Sequence, residues 1–361
     1  MRENEIHRAW FENEPQIRDH KRRLKSKTIS ELRKIFTLLR QTNRVMPWPT
    51  LPHSFKPRAK RRLRHYEGVL GTALELQLVA GSEAQLDAAE TQLLAELERL
   101  EQVFSRFLPG SELNRLHHRR GQPVRVSPEF AALLTQAQQI MALTGGAFHP
   151  AADTLARLWA VGEPDIQTLS DVLEQMRQPL WTLEHQHVTL HTELTLNFNA
   201  HAKGFITDAA AQAAFQVAGV REVVLNIGGD VRHLGAQSVP VGIEAPGRLA
   251  DNREPLAFVR LSNQAVATSG LSHRGAHILD PRSGQPLTSH SSVSVLAKTC
   301  AEADALATAF LVLGTEESLR LADSLPNVGV LILQEIQGGS AEQCSNAFWR
   351  RHQTPSSTPT F

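Results

Sequence analysis

Apolar positions along this chain follow two periods. The run Val69-Leu-Gly-Thr-Ala-Leu-Glu-Leu-Gln-Leu-Val79 alternates from Thr72 onward, which predicts a half-buried strand. Ser82-Glu-Ala-Gln85 reads as a capping box, and Leu86, Leu93, Leu97, Leu100, Phe104 and Phe107 mark one face of a long amphipathic helix behind it. Leu108–Leu116 reads as a loop. Ser127-Pro128 opens a second helix, serine as cap and proline in the first turn, which stops at Gly145-Gly146 before a turn at Ala147-Phe-His-Pro150. Val188–Thr192 and Leu194–Phe198 alternate as strands, and Ala200–Asp208 runs from the second into an Ala-rich helix ending near Gly219. Glu222–Ile227 predicts a buried strand leading straight into Gly228-Gly-Asp230. Further strands are expected at 239–244, 256–261, 264–268, 292–297 and Val328–Leu333, with a buried helix over Ala301–Phe310 closed by Gly314. Strands outnumber helices and do not alternate with them regularly, so the fold class is α+β.

Composition adds a division of the chain. The 361 residues are 41% hydrophobic and 21% charged, ordinary for a globular protein with a large core. The net charge of +1 hides an asymmetry: residues 1–65 hold 18 Lys and Arg against 6 Asp and Glu, and the remainder holds 20 against 31. Lys21–Lys27 and Arg58–Arg64 are charge runs, and Met46–Pro52 is rich in proline. Residues 1–65 are therefore expected to be a basic, poorly ordered extension, with the ordered body beginning near Tyr66. Weak attraction to an anionic lipid or nucleic-acid surface is the functional alternative for that segment. No aromatic platform or fold motif supports base recognition, so no specific nucleic-acid partner is expected. Residues 336–361 read as a Ser/Thr/Pro-rich tail. No apolar run reaches the length of a membrane span, no signal-peptide core or N-terminal lipid-bearing Cys is visible, and the sequence by itself points to the cytoplasm. Cys300 and Cys344 are too few for a disulfide framework or a zinc cluster.

Candidate chemistry lies in four places. Asp304 and Thr308 stand four residues apart, one turn apart on the same face of the Ala-rich helix. Their partners are either the backbone, since Thr hydroxyls often bond the carbonyl four residues back, or a hard cation that prefers oxygen ligands. Lys203-Gly204 sits at a helix start, where free N–H groups and a lysine favour phosphate. Gly228-Gly229 allows close backbone approach to a ligand, and Asp230 can accept hydrogen bonds from one. His277, taken alone, reads as readily as a structural polar residue as a catalyst.

The order of these motifs resembles the ApbE family, the FAD:protein FMN transferases. Gly71-Thr72, Ser111-Glu-Leu113, Gly145-Gly-Ala-Phe148, Ala202-Lys-Gly-Phe205 with Asp208, and Asn226 with Gly228-Gly-Asp230 carry the likeness. Ala265-Val-Ala-Thr-Ser-Gly270, His277-Ile-Leu-Asp-Pro281 with Gly284, and Ala303-Asp-Ala-Leu-Ala-Thr308 complete it, spanning about residues 66–335. The resemblance implies a mixed, largely antiparallel sheet packed with helices in a single large domain. It implies Mg²⁺-dependent transfer of the FMN moiety of FAD to a Thr or Ser hydroxyl of a target flavoprotein subunit, with AMP leaving. Asp304, Thr308, the Ala200 carbonyl and the neighbourhood of Ala307 would hold the metal. Lys203 would face the FAD phosphates, and His277 would assist proton transfer, so that His277, Lys203 and Asp304 form the catalytic set. Leu70, Phe107, Ala147, Phe148, His149, Asn197, Gly228, Gly229, Asp230, Thr268 and Leu279 would contact the flavin nucleotide. Leu70, His149, Asn197, His117 and Ser272 depart from the residues usual at their positions, while the metal helix, Lys203 and His277 keep the pattern. FAD hydrolysis to FMN and AMP and flavin binding without turnover are the alternatives. Many relatives work at or beyond the inner membrane, in contrast to the reading from the N-terminus.

Overall fold

The computed structural model describes residues 59–244, 255–270, 278–287, 291–336 and 340–354. The basic stretch through Arg58, Ser272 and the catalytic candidate His277 lie outside the described residues. The chain enters as β1 (Lys60–Val69) and β2 (Thr72–Ala80), followed by α1 (Glu83–Phe104), α2 (Glu112–His118), β3 (Val124–Arg125) and α3 (Pro128–Leu143). Next come α4 (Ala152–Ala160), α5 (Ile166–Arg177), β4 (Trp181–Glu184), β5 (His187–Leu190) and α6 (Asn199–Phe215). Strands β6 (Val220–Ile227), β7 (Asp230–Gly235), β8 (Val239–Ile243), β9 (Ala257–Leu261), β10 (Ala265–Gly270) and β11 (Ser291–Ala297) lead to α7 (Cys300–Leu313) and α8 (Thr315–Ser324). The described chain closes with β12 (Gly329–Ile336), β13 (Ser340–Ser345), α9 (Ala347–His352) and β14 (Gln353–Thr354). Residues His65–Leu74 belong to a compact unit separate from the body, which comprises Ala59–Arg64 and Glu75 onward. No helix among the described residues is long and apolar enough to cross a membrane.

The main sheet has the order β1-β2-β6-β7-β10-β11-β12-β13, and two three-stranded sheets, β14-β9-β8 and β3-β5-β4, accompany it. From β6 to β13 every neighbouring pair is antiparallel, in line with the largely antiparallel sheet that the resemblance implies. Period-2 alternation sorts the centre of the sheet into two cores. Ala267, Val293, Val295 and Ala297 pack against Leu306, Ala307 and Phe310 of α7. Val266, Leu296 and Leu331 face the other way, onto Val259, Leu261 and Trp349. β11 is consequently buried at every residue, as a strand covered on both faces must be. On the α7 side, α6 packs between α1 and α7.

Several boundaries differ from expectation for identifiable reasons. β1 starts at Lys60, so the Arg58–Arg64 charge run is largely strand and not extension. Arg62 is held there by Glu83, Asp87 and Glu90, the last fully buried. Helix α1 stops at Phe104 because Ser105 is extended, and this leaves Phe107 beyond the helix, 62% exposed. The expected loop contains α2, which Ser111 caps by accepting the N–H of Asn114. Leu194–Phe198 is not a strand: the Leu196 N–H donates to His117 Nε2 and the Asn197 N–H to the Pro150 carbonyl, so its polar backbone is satisfied without a ladder. Residues 340–354 are not a tail; β13 pairs with β12, and Trp349 of α9 is fully buried.

Candidate functional site

Three elements meet beneath the α7 face of the sheet: the first turns of α6, the start of β7 and the first half of α7. Gly228 and Gly229 take φ of 58° and 93°, a left-handed pair that reverses the chain from β6 into β7. Asn226 fixes the turn by accepting the Gly229 N–H at 3.0 Å. Asp230, the first residue of β7, is thereby placed with no exposed surface. α6 brings Lys203 to it, and the ammonium forms an ion pair with Asp230 Oδ2. One residue on, the Gly204 N–H donates to Asp304 Oδ2 of α7 at 3.2 Å. A Cβ at Gly204 would lie 2.4 Å from the Cys300 carbonyl oxygen, so only glycine lets α6 and α7 approach this closely.

The electrostatics follow from burying two carboxylates around one ammonium. Burial pushes the Asp230 carboxyl well above the usual range, the Asp304 charge adds to the rise, and Lys203 opposes it. Asp304 is also raised by burial, against the lowering influence of Lys203 and the Gly204 N–H. Burial would lower the pKa of Lys203, but the Asp230 and Asp304 charges override it and raise it. With both acids ionised the cluster carries one negative charge beyond what Lys203 neutralises. Such a site holds either a shared proton or an additional cation.

Beside Asp304 the hydroxyl of Thr308 lies 3.4 Å from Ser269 Oγ of β10. Sequence reasoning missed Ser269, although strand alternation carries the signal: it shares the face of Ala267, which packs on α7. The donor set of Asp304, Thr308 and Ser269 consists entirely of oxygen, and with the excess negative charge it fits a hard divalent cation of the Mg²⁺ type. Ala200 lies in the first turn of α6 and Ala307 in the buried face of α7. Among the described residues no group of three or more His, Cys, Asp or Glu forms a metal cage.

The other candidate residues divide. Asp230 is buried and pairs with Lys203 through Oδ2. Gly145, Gly146 and His149 line a cavity of about 490 Å³ together with Trp181, Pro281 and Arg282, which joins two of the predicted loops. Both His149 nitrogens are occupied, Nε2 by the Met176 carbonyl at 3.1 Å and Nδ1 by the Ala151 N–H at 3.2 Å. Ala147 and Phe148 are buried, and the Phe148 ring meets His201 edge-on at 5.9 Å. Asn197 accepts the Asn199 N–H and so shapes the entry to α6. Leu279 is buried and bridges to Pro286. Thr268 lies on the opposite face of β10 from Ser269 and bonds Ser294 at 2.7 Å, so it is not brought to the Asp304 cluster. Leu70 takes a left-handed φ of 50° between β1 and β2, and Phe107 presents an exposed ring with the Arg106 guanidinium 4.7 Å above it.

Known proteins share the sequence pattern and the fold. A Vibrio cholerae protein named FAD:protein FMN transferase is 29% identical over 282 residues, covering 72% of this chain and 83% of that one. A Treponema pallidum protein of the same name is 30% identical over 311 residues, covering 76% and 86%. Among solved structures, the flavin transferase ApbE of Vibrio cholerae superposes with a TM-score of 0.70 at 23% identity, covering 82% of this chain and all of that one. The apo flavinyl transferase ApbE of Pseudomonas stutzeri gives 0.69 at 23% identity, covering 83% and 98%. At such identities the structural likeness establishes the fold. The pattern of the ApbE family matches residues 70–332, and the chain belongs to that family.

Proposed function

We propose that this protein is an FAD:protein FMN transferase that moves the FMN moiety of FAD to a Thr or Ser hydroxyl of a flavoprotein, in a Mg²⁺-dependent reaction that releases AMP. The observation that carries the reading is the buried cluster of Lys203, Asp230 and Asp304 beside Thr308 and Ser269, in a chain of this family. Attack on a pyrophosphate accumulates negative charge on the non-bridging oxygens, and preformed positive charge in a dry site lowers that barrier. Lys203 supplies one such charge, and Asp230 holds its ammonium in place. Asp304 and Thr308, with the Ala200 carbonyl and Ala307 nearby, are the residues that would hold the cation. A bound Mg²⁺ neutralises pyrophosphate oxygens as a Lewis acid. The cavity beside Gly145, Gly146 and His149 offers mostly apolar walls for a ring of the nucleotide. His277 enters as the group that takes the acceptor hydroxyl's proton, a role read from its sequence position.

The test is incubation of the full chain with FAD, MgCl₂ and a candidate acceptor flavoprotein, followed by intact mass of both proteins and assay of AMP. The expected result is an acceptor heavier by one FMN moiety, with one AMP per transfer. AMP released with an unmodified acceptor would instead show hydrolysis, and no AMP at all would leave flavin binding alone.

A further inference from the structure

Asp208 belongs to none of the groups placed at the pyrophosphate, yet it ties together the three elements that carry them. Its carboxylate, on α6, accepts the N–H of Cys300 and the N–H of Ala301 at 2.9 Å each. Arg232 Nε, from β7, lies 2.9 Å from Asp208 Oδ1. Each anchor stands a short step from a site residue on the same element. Asp208 shares α6 with Lys203, Arg232 follows Asp230 in β7, and Cys300 and Ala301 open α7 a turn before Asp304.

We propose that Asp208 is a positioning residue whose three-way clamp fixes the separation of Lys203, Asp230 and Asp304, and thereby sets the affinity of the site for a divalent cation together with the FAD pyrophosphate. This rests on the transferase reading above. Helix N-termini carry unsatisfied N–H groups that a neighbouring residue ordinarily caps. α7 has such a local cap, since Thr299 Oγ1 accepts the Glu302 N–H at 3.2 Å. Asp208 adds a second cap from another helix, which stabilises the relative position of α6 and α7 as well as the helix end. The Asp208 and Arg232 side chains are 22% and 11% exposed, so solvent screens the pair weakly.

The experiment compares wild type with Asp208→Asn, Arg232→Gln and Thr299→Ala as full-length chains. Flavin fluorescence reports FAD binding across a MgCl₂ series, and melting is recorded without ligand. Asp208→Asn is expected to raise the half-saturating Mg²⁺ concentration about tenfold, the lower end of the effect of partners that orient metal ligands. Arg232→Gln keeps both bonds to α7 and should shift it in the same direction by less. Thr299→Ala removes a cap of the same helix and should lower the melting temperature while leaving the Mg²⁺ midpoint within about twofold of wild type, since it holds neither α6 nor β7. A midpoint for Asp208→Asn within that range overturns the clamp, as does a Thr299→Ala shift equal to that of Asp208→Asn. Should Asp208→Asn fail to fold, an unshifted Arg232→Gln overturns it equally. A wild-type protein whose FAD binding ignores Mg²⁺ overturns the transferase site and the clamp with it, an outcome visible before any substitution is made.

Discussion

A ring nitrogen that accepts a backbone N–H cannot carry a proton of its own. His117 Nε2 accepts the Leu196 N–H at 3.0 Å, and burial, aided by the Arg120 charge, lowers its pKa to about 4. Its unfolded value is about 6.5, so between these values the unfolded chain binds the extra proton. The contribution is therefore complete above about pH 6.5 and is lost as pH falls toward the folded value. Discounted for partial exposure, the loss amounts to about 1 kcal/mol at pH 5. His117→Gln keeps an acceptor but cannot titrate, so its loss of stability between pH 7.5 and 5, read by denaturant melts, should be smaller than wild type's by that amount. Equal losses would refute the assignment. His201, also lowered to about 4 by burial, sets a second acid-sensitive point in the same direction. Asp304→Asn tests the opposite kind of residue. The amide keeps an acceptor for the Gly204 N–H but removes one of two like charges that burial forces together. Melting temperature without metal should hold or rise, while Mg²⁺-dependent FAD binding and AMP release disappear. A fall in stability with transfer intact would make Asp304 structural.

Between elements, the closest approach is that of α6 to α7, where the Gly204 N–H donates to Asp304. Gly204→Ala would place a methyl 2.4 Å from the Cys300 carbonyl oxygen, backbone that cannot rotate away. Overpacking of this kind costs about 1–3 kcal/mol, and the helices must part to relieve it. The expected outcome is a lower melting temperature together with a raised Mg²⁺ midpoint for FAD binding; a midpoint unchanged in the folded protein would show the spacing to be unimportant. The same contact explains what was legible in the sequence. Alternation in β2, the buried apolar run of β6 and the Ala-rich, glycine-closed run of α7 located their elements. Asp304 with Thr308 was visible because four residues make one helical turn. Ser269 shares the alternation of Ala267 within one strand, but Arg232 and the clamping role of Asp208 depend on which face of one element meets another, a tertiary fact that spacing within a segment does not carry. Leu194–Phe198 misled for the related reason that an alternating segment can satisfy its backbone on a histidine and a loop carbonyl.

For the whole molecule the sharpest question is where the folded body begins. The charge excess of residues 1–65 suggested a start near Tyr66, but Arg62 is 9% exposed in its side chain and meets Glu83, Asp87 and Glu90, the last at 2.8 Å. Arg64 Nε lies 3.1 Å from the other oxygen of Glu90. Glu90 is fully buried on α1, and a carboxylate left in that position without its cations is destabilising by about 3–5 kcal/mol. α1 in turn packs on α6, the helix of Lys203 and Asp208. Two truncations therefore part company. A chain beginning at Ala59 retains Arg62 and Arg64 and should melt and transfer FMN as the full chain does, because every site residue lies beyond it. A chain beginning at Tyr66 loses both arginines and β1 pairing up to His65, and should melt lower, with transfer lost in proportion to the unfolded fraction. Equal melting of the two truncations would show that the arginine cluster is a surface ornament, whereas loss of FAD binding already at Ala59 would give residues 1–58 a part in the site.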